Sequence, residues 1–359
     1  MTPHRFAFGL LATWWVATPL AAQADTAQTH AAVSGFIDVY YAYDFGRPAQ
    51  HDRPFTTQAV RHNEFNLNLA HVALSIDRAS VRARLAVQAG TSVQANYAAE
   101  PRTGAISGSE LVRHIQEATI GVRAASALWI DAGIYLSYIG WEGWISATNP
   151  TYTRSLVAEF SPYYLSGARA TWTAGKRVTI QAHLMNGWQN VAENNDGKAG
   201  GLRIDVAPSD RLTLVYANFL GREQPATGTP ETRFFQQLMA KGSAGATTWQ
   251  AQLDVGHSGT RHWYGWAATA SWPLGAATAL ATRIERYADP DQVIVSTGEP
   301  AGLVATGASV GIDRTLAGKV LWRSEARWLR ASDSLFADHG LPARARSNLT
   351  LVTSFAVTF

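Results

Sequence analysis

The 359-residue chain has no cysteine. That absence removes disulfide scaffolds, thiolate catalysis and the common cysteine metal sites. Charge is also scarce: 16% of residues are charged, where a large soluble domain carries about a quarter. The formal net charge of +3 is small and argues against a nucleic-acid partner. No Pro- or Ser-rich linker, long charge run or low-complexity tract marks a domain boundary. Beyond the N-terminus, no apolar run approaches the ~20 residues of a membrane helix.

The N-terminus itself reads as a secretory signal peptide. His4 and Arg5 precede a mostly apolar run, Phe6 to Leu20, and Ala22-Gln23-Ala24 is a small-x-small cleavage site. We therefore expect a leader over 1–24 and a single domain over 25–359. Against the few charges stands an aromatic content of 11%, with 13 tryptophans.

Period-two alternation runs along the chain. From Asn348 to Phe359, one face carries Leu349, Leu351, Thr353, Phe355, Val357 and Phe359, and the other is mostly small and polar. Val81 to Val93 and Leu128 to Tyr138 alternate likewise, with Val93 and Tyr138 on the outward sets. In Val320 to Arg330, Trp322, Ala326 and Trp328 oppose Arg323, Glu325 and Arg327. The phase slips near Ala70–His71, which predicts a β-bulge. We count about sixteen candidate strands, starting near 33, 63, 79, 111, 127, 163, 177, 199, 212, 231, 246, 262, 277, 301, 318 and 346. Long and short connections alternate between them, as in outer-membrane barrels with long extracellular loops and short periplasmic turns. Tyr264, Trp266 and Trp272 share one face, as aromatic girdles would. Trp172, Trp188, Trp322 and Phe359 fall near strand ends on the outward set. The fold class expected is all-β: one closed, antiparallel transmembrane barrel in the bacterial cell outer membrane.

Several stretches carry a resemblance. They are Gly35-Phe36-Ile37-Asp38-Val39-Tyr40-Tyr41-Ala42-Tyr43-Asp44-Phe45, Arg61-His62-Asn63-Glu64-Phe65-Asn66-Leu67-Asn68-Leu69, Gln88 to Tyr97, Thr153 to Glu159 with Ser161-Pro162-Tyr163-Tyr164, and Asn186-Gly187-Trp188-Gln189-Asn190. They resemble the OmpL-like β-barrel porin family, densely in the first half and mainly by strand pattern in the second. The resemblance implies a porin-like outer-membrane barrel and no particular substrate.

A channel needs a water-filled bore with fixed charges. The expected pore-lining set is Arg82, Arg84, Gln88, Asp131, Arg169, Arg203, Arg283, Arg323, Glu325 and Arg327. Its arginines favour anionic solutes, unless they pair with the carboxylates and brace the wall. The longest connection, Ile139 to Pro162, is a candidate constriction loop through Trp141, Glu142, Arg154 and Glu159; the alternative is an exposed surface loop. Enzymatic readings are weak, because His183, His257 and His262 lack any Gly-x-Ser-x-Gly elbow. His30, His51, His62 and His71 have no metal-ligand spacing, and Asn194 to Gly197 reads as a turn rather than a calcium loop. No cofactor is expected. The expected function is passive diffusion of small hydrophilic solutes. The rivals are a non-conducting barrel acting through its loops as adhesin, receptor or structural protein, and a soluble lectin-like sandwich. Expected partners are outer-membrane lipid and the barrel insertion machinery, reached through the last strand ending at Phe359. A greasy wall serves lipid or another barrel equally well, so a homo-oligomer stays open.

Overall fold

The computed structural model describes residues 29–106, 109–224, 228–316 and 320–359; the expected leader lies outside the described residues. The strands in chain order are β1 (His30–Asp44), β2 (Phe65–Asp77), β3 (Val81–Ala89), β4 (Ile115–Ala125), β5 (Leu128–Leu136), β6 (Tyr164–Ala174), β7 (Val178–Met185), β8 (Ala199–Ser209) and β9 (Leu212–Glu223). They continue as β10 (Glu231–Ala244), β11 (Thr247–Ser258), β12 (Arg261–Pro273), β13 (Thr278–Asp289), β14 (Leu303–Thr315) and β15 (Leu321–Ala331). A short hairpin of β16 (Phe336–Asp338) and β17 (Leu341–Ala345) precedes β18 (Ser347–Thr358). Short helices are α1 (Thr91–Asn96), α2 (Ser109–Val112) and α3 (Leu156–Glu159).

Every strand except the β16–β17 hairpin pairs with its chain neighbours, and β18 returns to β1, so sixteen strands close into one barrel. The seam runs from Phe36 opposite Thr358 to Asp44 opposite Thr350. The Gly35 and Phe359 N–H groups each donate to the other residue's carbonyl, at 2.7 and 3.0 Å. Closure leaves no open sheet edge, which is what lets strands cross a hydrocarbon layer with every backbone group satisfied.

Alternation sorts the side chains as expected. Along β18, Leu349, Leu351 and Phe355 face out, while Asn348, Thr350, Val352 and Ser354 are buried inside. Tyr264, Trp266, Trp172 and Phe359 are exposed on the outer surface. At one end the strands reverse tightly. The other end carries the long connections, among them L1 (45–64), L2 (90–114), L3 (137–163) and L7 (290–302). One connection at that end, between Ser258 and Arg261, is as short as a turn.

Three side chains depart from their expected faces, each where the chain leaves its strand. β3 stops at Ala89, because Gly90 adopts φ +139° and turns the chain into α1. A Cβ there would lie 2.3 Å from the Asn68 carbonyl oxygen, so only glycine fits. Val93 is consequently buried inside rather than outward. β5 stops at Leu136, and Tyr138 turns into the lumen to stack on His183, ring centroids 3.9 Å apart. Trp188 follows the end of β7 and points inward too, edge-on to Phe219, Phe235 and Trp263. The expected bulge is present: between Asp38/Leu69 and Val39/Leu67 the pairing passes over Asn68. Asn68 is thereby aimed inward, where its amide donates to Asp38 at 2.8 Å.

The lumen differs between its two halves. Toward the long-loop end it holds an apolar core, with Phe219, Phe235, Trp263, Tyr287 and Leu303 from the wall meeting Tyr138, Ile139, Leu156 and Val157 from L3. Burying a side chain of this size stabilises by roughly 1.5–3 kcal/mol, so L3 is an integral part of the fold. Toward the short-turn end the inner wall is polar and partly exposed.

Candidate channel constriction

L3 leaves β5 and runs across the lumen, touching the wall at successive points. The Tyr138 hydroxyl donates to the Asn218 carbonyl on β9 at 2.6 Å, and the Gly140 N–H to Gln237 on β10 at 2.8 Å. Gly140 sits at φ +81°, a conformation glycine adopts without steric cost. Further along, the Ser146 and Tyr152 hydroxyls donate to Asp38 on β1, at 2.7 and 3.2 Å. Arg323 on β15 donates to the carbonyls of Ser146, Asn149 and Pro150.

The returning limb is held by a buried ionic network. Glu325 on β15 accepts the Thr153 N–H and hydroxyl. Arg283 on β13 donates to the Thr151 hydroxyl and the Thr153 carbonyl, and lies 3.3 Å from Glu285 and 3.4 Å from Glu325. Glu285 accepts the Leu156 N–H at 2.6 Å and pairs with Arg327 at 2.9 Å. Inside the loop, Ser155 caps α3 and donates to Glu142 through its N–H and hydroxyl. Arg154 lies over the Tyr163 ring, 3.6 Å from its centroid, and 3.5 Å from Glu159. Glu159 in turn accepts the Thr57 N–H and hydroxyl, so L1 is tied to L3. Burial pushes the Glu142 carboxyl above the ordinary range, against the pull of Arg283 3.8 Å away.

The residues singled out in the sequence therefore fall into two groups. Arg283, Arg323, Glu325 and Arg327 lie on the inner wall but under L3, at 1–2% exposure. Glu142, Arg154 and Glu159 are buried within or beneath the loop, and Trp141 stays half-buried with the Lys241 ammonium 4.9 Å from its ring centroid. The second group occupies the opposite wall. Asp131 on β5 receives Arg82 from β3 at 2.6 Å and Arg169 from β6 at 3.1 Å. Gly121 makes room for this contact; a Cβ there would lie 2.2 Å from an Asp131 oxygen. Arg84 pairs with Glu117, and Arg203 with Asp205 at 2.7 Å while also donating to the Tyr138 carbonyl at 2.6 Å. Gln88 is buried beneath L2, donating to the Arg113 carbonyl at 2.9 Å. Residues that alternation alone did not select are Asp38, Tyr138, Thr153 and Lys241. Only the Asp38 region carried a signal, the neighbouring phase slip.

A closed sixteen-strand antiparallel barrel, apolar outside and crossed within by its third long loop, has the architecture of an outer-membrane porin. The chain belongs to the family described as "Putative beta-barrel porin-2, OmpL-like", whose model matches residues 30–359. No curated protein matches it. Among solved structures, it is similar to an anion-selective porin from Comamonas acidovorans at 12% identity, covering 92% of this chain and 100% of that one, with a TM-score of 0.60. It is also similar to OprB of Pseudomonas putida, at 9% identity, 92% and 94% coverage and a TM-score of 0.59. A third is the trimer form of OmpT from Vibrio cholerae, at 8% identity, 92% and 99% coverage and a TM-score of 0.57. At such identities the likeness shows the fold.

Proposed function

We propose that this protein sits in the bacterial outer membrane and lets small hydrophilic solutes diffuse through its bore, with a modest preference for anions. L3 narrows the bore, and solutes pass along the wall of β3–β8. The long loops then face outward and the tight turns face the periplasm. The observation that carries the anion preference is the difference in exposure within the wall pairs. Arg82, Arg84 and Arg169 keep 30%, 37% and 27% of their side-chain surface, while Asp131 and Glu117 keep 2% and 11%. Arg203 and Asp205 run the other way, at 13% and 25%. A solute passing this wall meets guanidinium surface before carboxylate surface, which biases the ions admitted.

Outer-membrane lipid covers the apolar exterior in this reading, the last strand ending at Phe359 engages the insertion machinery, and the same exterior accommodates a second copy of the barrel. The test is the reversal potential in planar bilayers under a KCl gradient. An anion-favouring sign is expected, and a cation-favouring sign would overturn the preference. The apolar core around L3 favours a second reading, a barrel that conducts little and acts through its outer loops. Its mark would be bilayer insertion without conductance steps.

A further inference from the structure

Beneath L3, the polar half of the lumen contains a cavity of about 490 Å³, bordered by the tight turns. Its size falls in the ~300–1,000 Å³ range of small-molecule sites. The roof is Thr148, Asn149 and Pro150 of L3. The wall presents hydroxyls and amides from neighbouring strands: Thr248 and Gln250 on β11, and Thr269 and Ser271 on β12. Thr269 Oγ1 is buried and has no hydrogen-bond partner in the protein, a costly arrangement for a buried hydroxyl unless something else satisfies it.

The lining carries two acids, Asp210 and Asp313, and two bases, Arg211 and Lys241, and the Arg323 behind Asp313 adds one positive charge that nothing there offsets. Asp313 is held by Arg323 at 2.8 Å. Asp210 and Arg211 are adjacent at a turn and carry opposite charges. Lys241, on β10, forms no ion pair among the described residues, and its ammonium stands 4.9 Å from the Trp141 ring centroid. One uncompensated cation and a ring of hydroxyls and amides define a ligand with one negative charge and several hydroxyl groups. A dianionic phosphate would want more than one cation, a neutral sugar would leave Lys241 without a partner, and a cationic solute would be repelled.

We propose that this cavity is a binding subsite for a small polyhydroxylated carboxylate, a sugar acid. Lys241 takes the carboxylate, and Thr269, Gln250 and Ser271 take the hydroxyls. The subsite lies directly below the constriction and rests on the channel reading above, holding the solute once it has passed L3.

Gluconate is a suitable probe, with glucose and chloride as comparisons. The full-length protein in detergent micelles is titrated while intrinsic tryptophan fluorescence is followed. A saturable change is expected with gluconate, with half-saturation raised at least tenfold in K241Q and several-fold in T269V, and K241R close to wild type. In bilayers, gluconate should reduce KCl current through the wild-type channel over the same concentration range. Wild-type protein that conducts KCl yet shows no saturable gluconate response overturns the subsite. An equal response to glucose overturns the role of Lys241. Saturable gluconate binding without any KCl conductance would instead sink the channel reading.

Discussion

Glu325 on β15 accepts both the backbone N–H and the hydroxyl of Thr153, at 2.6 and 2.7 Å, and so fastens the middle of L3 to the far wall of the barrel. Arg283 closes the triangle, bonded to the Thr153 carbonyl and 3.4 Å from Glu325. All three residues are buried, so the removal of one partner strands the others. Breaking a buried ion pair this way costs about 3–5 kcal/mol. E325Q and R283M are each expected to loosen L3, seen as greater open-channel noise and faster proteolysis within the loop. The double substitution Arg283→Met with Glu325→Leu should be milder than the sum. Single variants with wild-type noise and proteolysis would show that the clamp does not hold the loop.

A second fastening lies between Tyr138 and Gly201. A Cβ on Gly201 would stand 1.8 Å from the Tyr138 hydroxyl oxygen and 2.9 Å from the Asn218 carbonyl oxygen. G201A should therefore destabilise by about 1–3 kcal/mol, the usual scale of overpacking. The cost should shrink in a Tyr138→Ala background, because only the contact with Asn218 remains. Heat-modifiable migration of the four proteins against temperature reads this coupling. Equal costs in both backgrounds would contradict the contact.

Glu142 gives a pH dependence of definite sign. It lies on L3, outside the strands, and burial raises its carboxyl above the ordinary range. A carboxyl whose pKa is higher in the docked loop than in the released one binds its proton more tightly when docked. Docking therefore strengthens as pH falls toward the free value of about 4.3, and weakens as pH rises through the raised value. Conductance and channel noise should fall as pH drops through the raised value toward about 4.3, and E142Q should lose much of that dependence. Glu100 on L2 is also raised by burial, so E100Q measures its share. Conductance that rises on acidification would contradict the sign.

Selectivity should track the exposed arginines. A unit charge at ~4 Å in water-like surroundings is worth about 1 kcal/mol. R82Q or R169Q alone should lower the anion-to-cation permeability ratio by up to ~5-fold, each leaving Asp131 one partner. The double variant leaves Asp131 unpaired and should move the reversal potential furthest toward cations. A ratio unchanged by all three variants would place the selective element elsewhere.

Much of the barrel was legible in the sequence, because alternation and loop length are local properties. The starts of the sixteen strands, the outward set of β18 and the inward arginines could all be read there. Alternation assigns a face and says nothing about what lies across the lumen. Arg283, Arg323 and Arg327 were correctly inward, yet the L3 partners of Arg283 and Arg323 lie more than a hundred residues earlier in the chain. Val93, Tyr138 and Trp188 were misplaced for a related reason: each follows the last residue of a strand, where period two no longer applies. Gly90 marks one of those exits by its positive φ, and glycine alone in a sequence does not announce its φ. Lys241 carries no signal in the sequence, because the Trp141 ring beside it belongs to a loop a hundred residues earlier in the chain.

In the proposed channel, L3 narrows a conducting bore. Single-channel conductance in KCl, measured for the wild type and for a variant with residues 141–161 replaced by a short glycine-serine turn, tests it most directly. Discrete steps are expected for the wild type, and a conductance several times larger for the variant. Equal conductance in the two proteins, with the variant barrel still heat-modifiable, would contradict it.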